Sequence, residues 1–255
     1  MVNSERLYKF HVENLRSLEI ALNDSARACR REIASENDAG SKSHLSLYAF
    51  LVGAWAECRL SKCLFEQDGF SAEVRDDLYK IPSQLDRWKG TVARAFRLHF
   101  DIPTRPLSEQ NIPFSDYSRF VRINEILENE LRSVIEIRNK LAHGQWIYPL
   151  NSDGTDVENQ KYKELKEENI QSLQFKHSMI SSLADILHDL VVSKPTFDRD
   201  FDRHFARFSG ASINRRTRSY EAYRNQLIVK KQRGRIRRRE ATNTSGNSES
   251  CETSI

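Results

Sequence analysis

The sequence predicts an all-α protein, a helical bundle with a long N-terminal helix and a basic, partly disordered C-terminal extension. Three observations predict it. Apolar residues recur at three- and four-residue spacing through most of the chain. Glycine (9) and proline (6) are too scarce in 255 residues for an all-β protein built on tight turns. Hydrophobic residues make up 38% and charged residues 30%, enough for a core beneath a heavily charged surface.

Residues 1–40 carry the N-terminal helix, over 4–35, with Leu7, Phe10, Leu15, Leu18 and Leu22 as a sparse apolar face. Asp38-Ala39-Gly40-Ser41 is expected to break it. The bundle spans 41–195. Its first helix, Ser43 to Glu66, is apolar on most sides and is therefore central. Asp68-Gly69 ends it. Ser71 caps a short helix to Lys80, and Pro82-Ser83 starts another with Leu85, Trp88, Val92, Ala95 and Phe96 at helical spacing. Residues 100–114, with three prolines, form a loop. A long helix follows from Ser115 or Asp116 to Ala142, stopped by Gly144. Trp146 to Leu150 is a short extended piece, and Asn151 to Thr155 a turn. Helix returns over 160–192. Residues 196–240 hold C-terminal helices, with Phe197, Phe201, Phe205 and Phe208 along one side. Residues 241–255, rich in Ser, Thr and Asn, are expected to be disordered.

Cys29, Cys58, Cys63 and Cys251 form no CxxC pair, so neither a disulfide framework nor a structural zinc site is expected. The N-terminus has no apolar signal core, and Leu45–Leu64 is broken by Glu57, Arg59 and Lys62. A soluble, cytoplasmic protein with no membrane association is the expectation. The net charge of +4 is uneven: residues 211–240 alone carry +9, and the 210 residues before them −3. Such a basic block suits an anionic partner, nucleic acid first, or else a solubilising tail.

The helix ending at Ala142 carries the candidate site. On a straight helix Phe120, Leu127, Leu131, Val134 and Ile135 all fall within about 60° of Arg138. Arg138 therefore sits amid an apolar face, where a guanidinium is costly unless it is paired or meets a wet cleft. One reading is an arginine satisfied by a core carboxylate, with Glu57 as partner. Asn139 and His143 are four residues apart and neighbours on a helix, so Asn139 could hydrogen-bond the imidazole and set its tautomer. His143 taken alone reads as a helix cap.

The string Ile137-Arg138-Asn139-Lys140-Leu141-Ala142-His143-Gly144 resembles the signature of HEPN domains: Arg, a polar residue, a few residues, then His, late in a long helix. The resemblance implies a HEPN-like helical bundle, covering about 40–195, that commonly dimerises. In many members it implies a metal-independent ribonuclease of toxin–antitoxin, abortive-infection or other anti-phage systems. A subgroup paired with nucleotidyltransferase antitoxins carries Tyr two residues after the His. Here that residue is Gln145, and Tyr148 is off pattern, which puts antitoxin-driven modification in doubt.

RNA can be cut without a metal if its own 2′-OH attacks the adjacent phosphorus, given proton transfer and positive charge on the phosphate. His143 is the candidate for proton transfer and Arg138 for the phosphate oxygens. Asn139 orients His143 or contacts the phosphate. No metal or cofactor is called for. Arg138 and His143 lie about 140° apart on an ideal helix. Two copies meeting at a two-fold axis would share one site, giving a homodimer.

The basic segment supplies RNA-binding candidates: Arg215, Arg216, Arg218, Lys230, Lys231, Arg233, Arg235, Arg237, Arg238 and Arg239, with Tyr220 and Tyr223 for base stacking. Asp198, Asp200, Asp202 and His204 would scatter around a helix, so no metal site is expected there. His177 and His188 are read as structural or surface residues. The leading expectation is a metal-independent endoribonuclease, a toxin or anti-phage effector acting on RNA, with an antitoxin or defence-system partner. The alternatives are a non-catalytic RNA-binding or protein-interaction module of the same fold, and a helical subunit with no nucleic-acid role.

Overall fold

The structure, a computed structural model, describes the backbone of residues 4–102 and 104–249 and the side chains of these residues through 240. It is all-helical; among the described residues the one β feature is an antiparallel bridge between Leu150 and Val157. Helix α1 (Ser4–Ala34) folds back on α2 (Asp38–Leu64). The predicted break at Asp38–Ser41 lies three residues too late. Asn37 is the N-cap, accepting from Gly40 N at 3.1 Å, and Glu36 takes a left-handed φ of 58° to turn the chain. Asp38–Ser41 is thus the first turn of α2, with an acidic residue where the helix dipole favours one.

Helices α3 (Ala72–Tyr79) and α4 (Gln84–His99) start as expected, from Ser71 and Ser83, whose hydroxyls accept from Val74 N and Asp86 N. Helix α5 (Phe114–Ile126) continues through a π turn, Leu127–Leu131, into α6 (Arg132–Ala142). The expected single helix over 160–192 is two: α7 (Asn159–Glu167) and α8 (Ile170–Val192). Asn169 divides them by capping Ser172 N at 2.9 Å. Ser193 caps α9 (Lys194–Thr217), with Pro195 in its first turn. Helix α10 (Tyr220–Glu249) follows a break at Arg218–Ser219. Its backbone stays helical nine residues into the stretch expected to be disordered; residues 250–255 lie outside the described ones.

Helix α2 lies at the centre, against α1, α6 and α8. The core is continuous. It runs from Leu15 and Leu22 of α1 through Trp88 and Phe96 of α4 to Phe197 and Phe208 of α9, with Tyr220, Tyr223 and Leu227 of α10 against it. The three segments expected as N-terminal helix, bundle and C-terminal helices therefore share one core. The phenylalanines of α9 line one side as the spacing predicted: Phe197 meets Phe201 edge to face at 5.4 Å, and Phe201 stacks on Phe205 at 5.8 Å. Cys29 and Cys63 are buried free thiols, and burial pushes them up to about 11 and about 12. Among the described residues no helix is long and apolar enough to cross a membrane.

A polar seam joins α2 to α8. Burial raises the Glu66 carboxyl, but hydrogen bonds from His188 and Lys62, with the charge of Lys62, outweigh it and hold it at about 2, against an ordinary 4.5. A carboxyl depressed on folding stabilises above its unfolded pKa, so this contribution fades as pH falls from about 4.5 toward 2. For His177, burial against Trp55 lowers the imidazole from 6.5 to about 4. The unfolded chain then binds a proton the folded chain refuses, so stability also falls from about pH 6.5 to 4. Melting temperatures measured from pH 7 to 2 should show both losses. Glu66→Gln should remove the lower one, and His177→Phe the upper one.

Candidate functional site

Arg138 meets α2 at a glycine. A Cβ on Gly53 would lie 2.4 Å from Arg138 Cβ and 2.7 Å from its Cγ. Only glycine lets α6 come this close. One turn further along α2, Glu57 receives the Arg138 guanidinium, Nη2 to Oε2 at 2.5 Å. Gly53 and Glu57 are four residues apart and so share one face. The first admits the arginine's stem and the second takes its head. Glu57 was legible as a partner from the charge pattern, whereas the glycine was not singled out.

The pair is not sealed in the core. The Arg138 side chain is 27% exposed and that of Glu57 40%. Both line a cleft of about 440 Å³ between α4 and α6. Exposure of this order leaves the ion pair worth about 1 kcal/mol or less.

The π turn fixes which residues surround Arg138. It adds a residue to one turn, so the straight wheel fails across it. Phe120, which the straight wheel places on the Arg138 face, packs on Phe96 at 5.5 Å. Val134, Ile135 and Leu141 form the buried face of α6, with Leu131 of the π turn buried just before it.

Asn139 is exposed and accepts from Arg138 Nη1 at 3.1 Å. The expected Asn139–His143 hydrogen bond is not made among the described residues. Asn139 orients the guanidinium, because its amide reaches the neighbouring Arg138 head once Glu57 draws that head across α6.

His143 is the exposed C-cap of α6. Gly144 N donates to Leu141 O at 3.1 Å and Gln145 N to Lys140 O at 3.0 Å, with Gly144 at φ 76°. This paired closure needs the left-handed residue that the sequence supplies. The following loop is tied down from both ends. Gln145 Oε1 accepts from Leu150 N at 2.8 Å, Trp146 Nε1 donates to Leu141 O at 3.0 Å, and Lys140 pairs with Glu158 at 2.8 Å. The imidazole thus stands at a fixed helix end.

His143 opens into a different cleft, of about 450 Å³, with Lys140, Asn151, Ser152 and Lys161. Asn139 and Glu136 line both clefts and form the wall between them. Burial lowers the Lys161 ammonium, but hydrogen bonds to Glu136 and Glu164 outweigh it and raise it, so Lys161 keeps its charge. One chain therefore presents Arg138 and His143 on opposite sides of Asn139, as the helical wheel indicated.

The basic segment divides in two. Arg215 is held by Glu130 of the π turn at 2.9 Å, and this pairing takes it from the RNA-binding candidates. Tyr220 and Tyr223 also leave the stacking role, because their rings pack against the core. Arg218 donates to Asn214 at 3.3 Å, and Lys231 to Ser35 Oγ. Arg216, Arg218, Lys230, Arg233, Arg235, Arg237, Arg238 and Arg239 are exposed. Truncation after Lys231 leaves the tyrosines in place while removing the distal arginines. If those arginines hold RNA, the truncated chain should bind more weakly and with a shallower salt dependence.

Contrary to the expected scatter, Asp200 and His204 share a face of α9 and meet Asp189 of α8, with donor atoms within 4.8 Å. Sequence spacing on α9 alone gave no sight of Asp189. Arginines already serve the carboxylate of Asp200: Arg199 at 2.8 Å and Arg203 at 3.1 Å. His204 Nε2 lies 3.1 Å from Asp189. The cluster is a polar network in which ion pairs hold Asp200 on α9 and the His204–Asp189 contact joins α9 to α8.

No protein-family model, no curated protein and no solved structure matches this chain.

Proposed function

We propose that the protein is a metal-independent endoribonuclease that cleaves RNA by attack of the 2′-OH on the adjacent phosphorus, breaking the P–O5′ bond to leave a 2′,3′-cyclic phosphate and a 5′-hydroxyl, with the 2′-OH proton passing through histidine to the departing oxygen. One observation carries the reading. An arginine fixed at a cleft by Gly53 and Glu57 is followed, five residues on, by an exposed histidine at a rigid helix end, with Asn139 between them. A helix end needs no histidine to close when Gly144 closes it. Arg138 stabilises charge on the phosphate, His143 transfers the proton, and Asn139 holds Arg138 in line. The HEPN-like sequence of 137–144 supports the same reading, and with it a toxin or anti-phage effector.

Because Arg138 and His143 open into separate clefts, the working site combines two copies of the chain at a two-fold axis, with two Arg138 and two His143 around a shared groove. A variant kept monomeric should stay folded and lose activity. The decisive assay is RNA cleavage with EDTA present, comparing wild type, Arg138→Ala and His143→Ala, with DNA of the same sequence as control. Cleavage by wild type alone, of RNA alone, supports the proposal. Cleavage of DNA would sink the mechanism, since deoxyribose lacks the nucleophile.

The second reading is a non-catalytic module binding RNA or a protein. The Arg138–Glu57 ion pair favours it, because it gives Arg138 a structural duty independent of any substrate. Equal RNA binding by all three proteins, with no cleavage, would select it.

A further inference from the structure

The cleft beside Arg138 has a second wall that the sequence did not mark. The whole first turn of α4 lines it, from Pro82 and Ser83 to Arg87. We propose that this cleft binds an RNA phosphodiester, with Arg87 and Gln84 acting as binding residues alongside Arg138. The proposal rests on the RNA reading above and adds a location and two residues to it.

Three observations carry it. The first is charge. Arg138 is paired with Glu57, and Arg132 with Glu128 at 2.5 Å. Arg87 lines the cleft with no carboxylate partner among the described residues. Its Nη2 donates to Ile81 O at 2.9 Å, and its guanidinium lies 5.4 Å from the centre of the Tyr79 ring. A backbone carbonyl and a ring face leave the positive charge uncompensated.

The second is hydrogen bonding. Gln84 Nε2, Arg87 Nε and Arg138 Nε are all buried without an acceptor among the described residues. A buried donor left unpaired is costly, and three around one cleft call for a ligand that only accepts. Phosphate oxygens do so, and a guanidinium fork matches their spacing.

The third is the helix end. Helix α4 runs 16 residues, and its N-terminus carries the positive end of the dipole. Ser83 Oγ accepts from Asp86 N, and Ser83 O from Arg87 N. The amides of Gln84 and Leu85 come before the first intrahelical bond of α4. Against this stand three lining carboxylates. Glu57 is neutralised by Arg138, and Glu136 by Lys161 at 2.6 Å. Exposed Asp86 is the one without a cation partner among the described residues, and it opposes an incoming anion.

The test uses a 2′-O-methyl oligoribonucleotide, which lacks the nucleophile, so binding is read apart from cleavage. Its affinity is measured by fluorescence anisotropy at two salt concentrations for the full chain and variants. Arg87→Ala should weaken binding about ten-fold and reduce the salt slope by roughly one phosphate contact. Arg87→Lys should fall between, keeping charge without the fork. Gln84→Ala should weaken binding less. Asp86→Asn should tighten it, and because Asp86 is exposed, this variant carries the test if Arg87→Ala does not fold. Lys163→Ala, on exposed α7, should change nothing. If wild type cleaves RNA while the Arg87, Gln84 and Asp86 variants bind as it does, the cleft assignment is overturned and the nuclease reading stands. If wild type neither binds this oligonucleotide nor cleaves RNA, both fall.

Discussion

Replacing His143 with alanine is expected to lower RNA cleavage by about 10²–10⁴-fold, the usual contribution of a positioned proton-transfer group. The fold should be untouched. The imidazole is exposed and makes no hydrogen bond among the described residues. The structural work of this position is done by backbone: His143 N donates to Asn139 O at 3.2 Å, a bond alanine keeps. Gly144, not His143, supplies the left-handed residue that ends α6. Activity and stability are thus separable here. Arg138→Ala should also abolish cleavage, but it leaves Glu57 without its guanidinium and empties the contact beside Gly53, so some stability should go with it. Arg138→Lys separates charge from fork. Retained cleavage in His143→Ala, with unchanged melting temperature and a purified dimer, would remove the proton-transfer role.

Gly53→Ala is expected to destabilise the protein and to lower its activity. The new Cβ would lie 2.4 Å from Arg138 Cβ, with Val134 O at 3.3 Å, so the helices must separate. Overpacking of this kind costs about 1–3 kcal/mol. At roughly 2–4 °C per kcal/mol for a chain of this size, the loss is easily read in a melting curve. Activity should fall further than stability, because pushing α6 outward moves Arg138 off Glu57. Gly210→Ala is the matched control: nothing lies within 4 Å of its added Cβ in the middle of α9. There alanine should be neutral or stabilise by up to about 1 kcal/mol. A Gly53→Ala protein as stable and active as wild type would show that the close approach of α2 and α6 has no bearing on the site.

The helices were legible because their signals are local. Ser71, Ser83 and Gly144 mark ends that the backbone uses, and the α9 phenylalanines repeat at a spacing that only a helix stacks. The errors were local signals read without their competitors. Gly40 looked like a breaker, but Asn37 had already capped the helix three residues earlier. Asn169 looked like one more polar residue inside a helix, and it is a cap. The π turn at Leu127–Leu131 has no marker in the sequence pattern, and both of its end leucines are buried.

By itself, the sequence determined an all-helical chain, a guanidinium set into an apolar helix face, and a histidine at that helix's end on a different side. These follow from helical period and end chemistry, which act within a few residues. Tertiary structure alone decided that Gly53 admits Arg138, that Asn139 serves the arginine and not the histidine, and that α4 turns its N-terminus and Arg87 toward the same cleft. Those relations join residues tens of positions apart, and no periodicity encodes them. They exist only once α2, α4 and α6 are packed, because close approach and ion pairing depend on distances that packing sets.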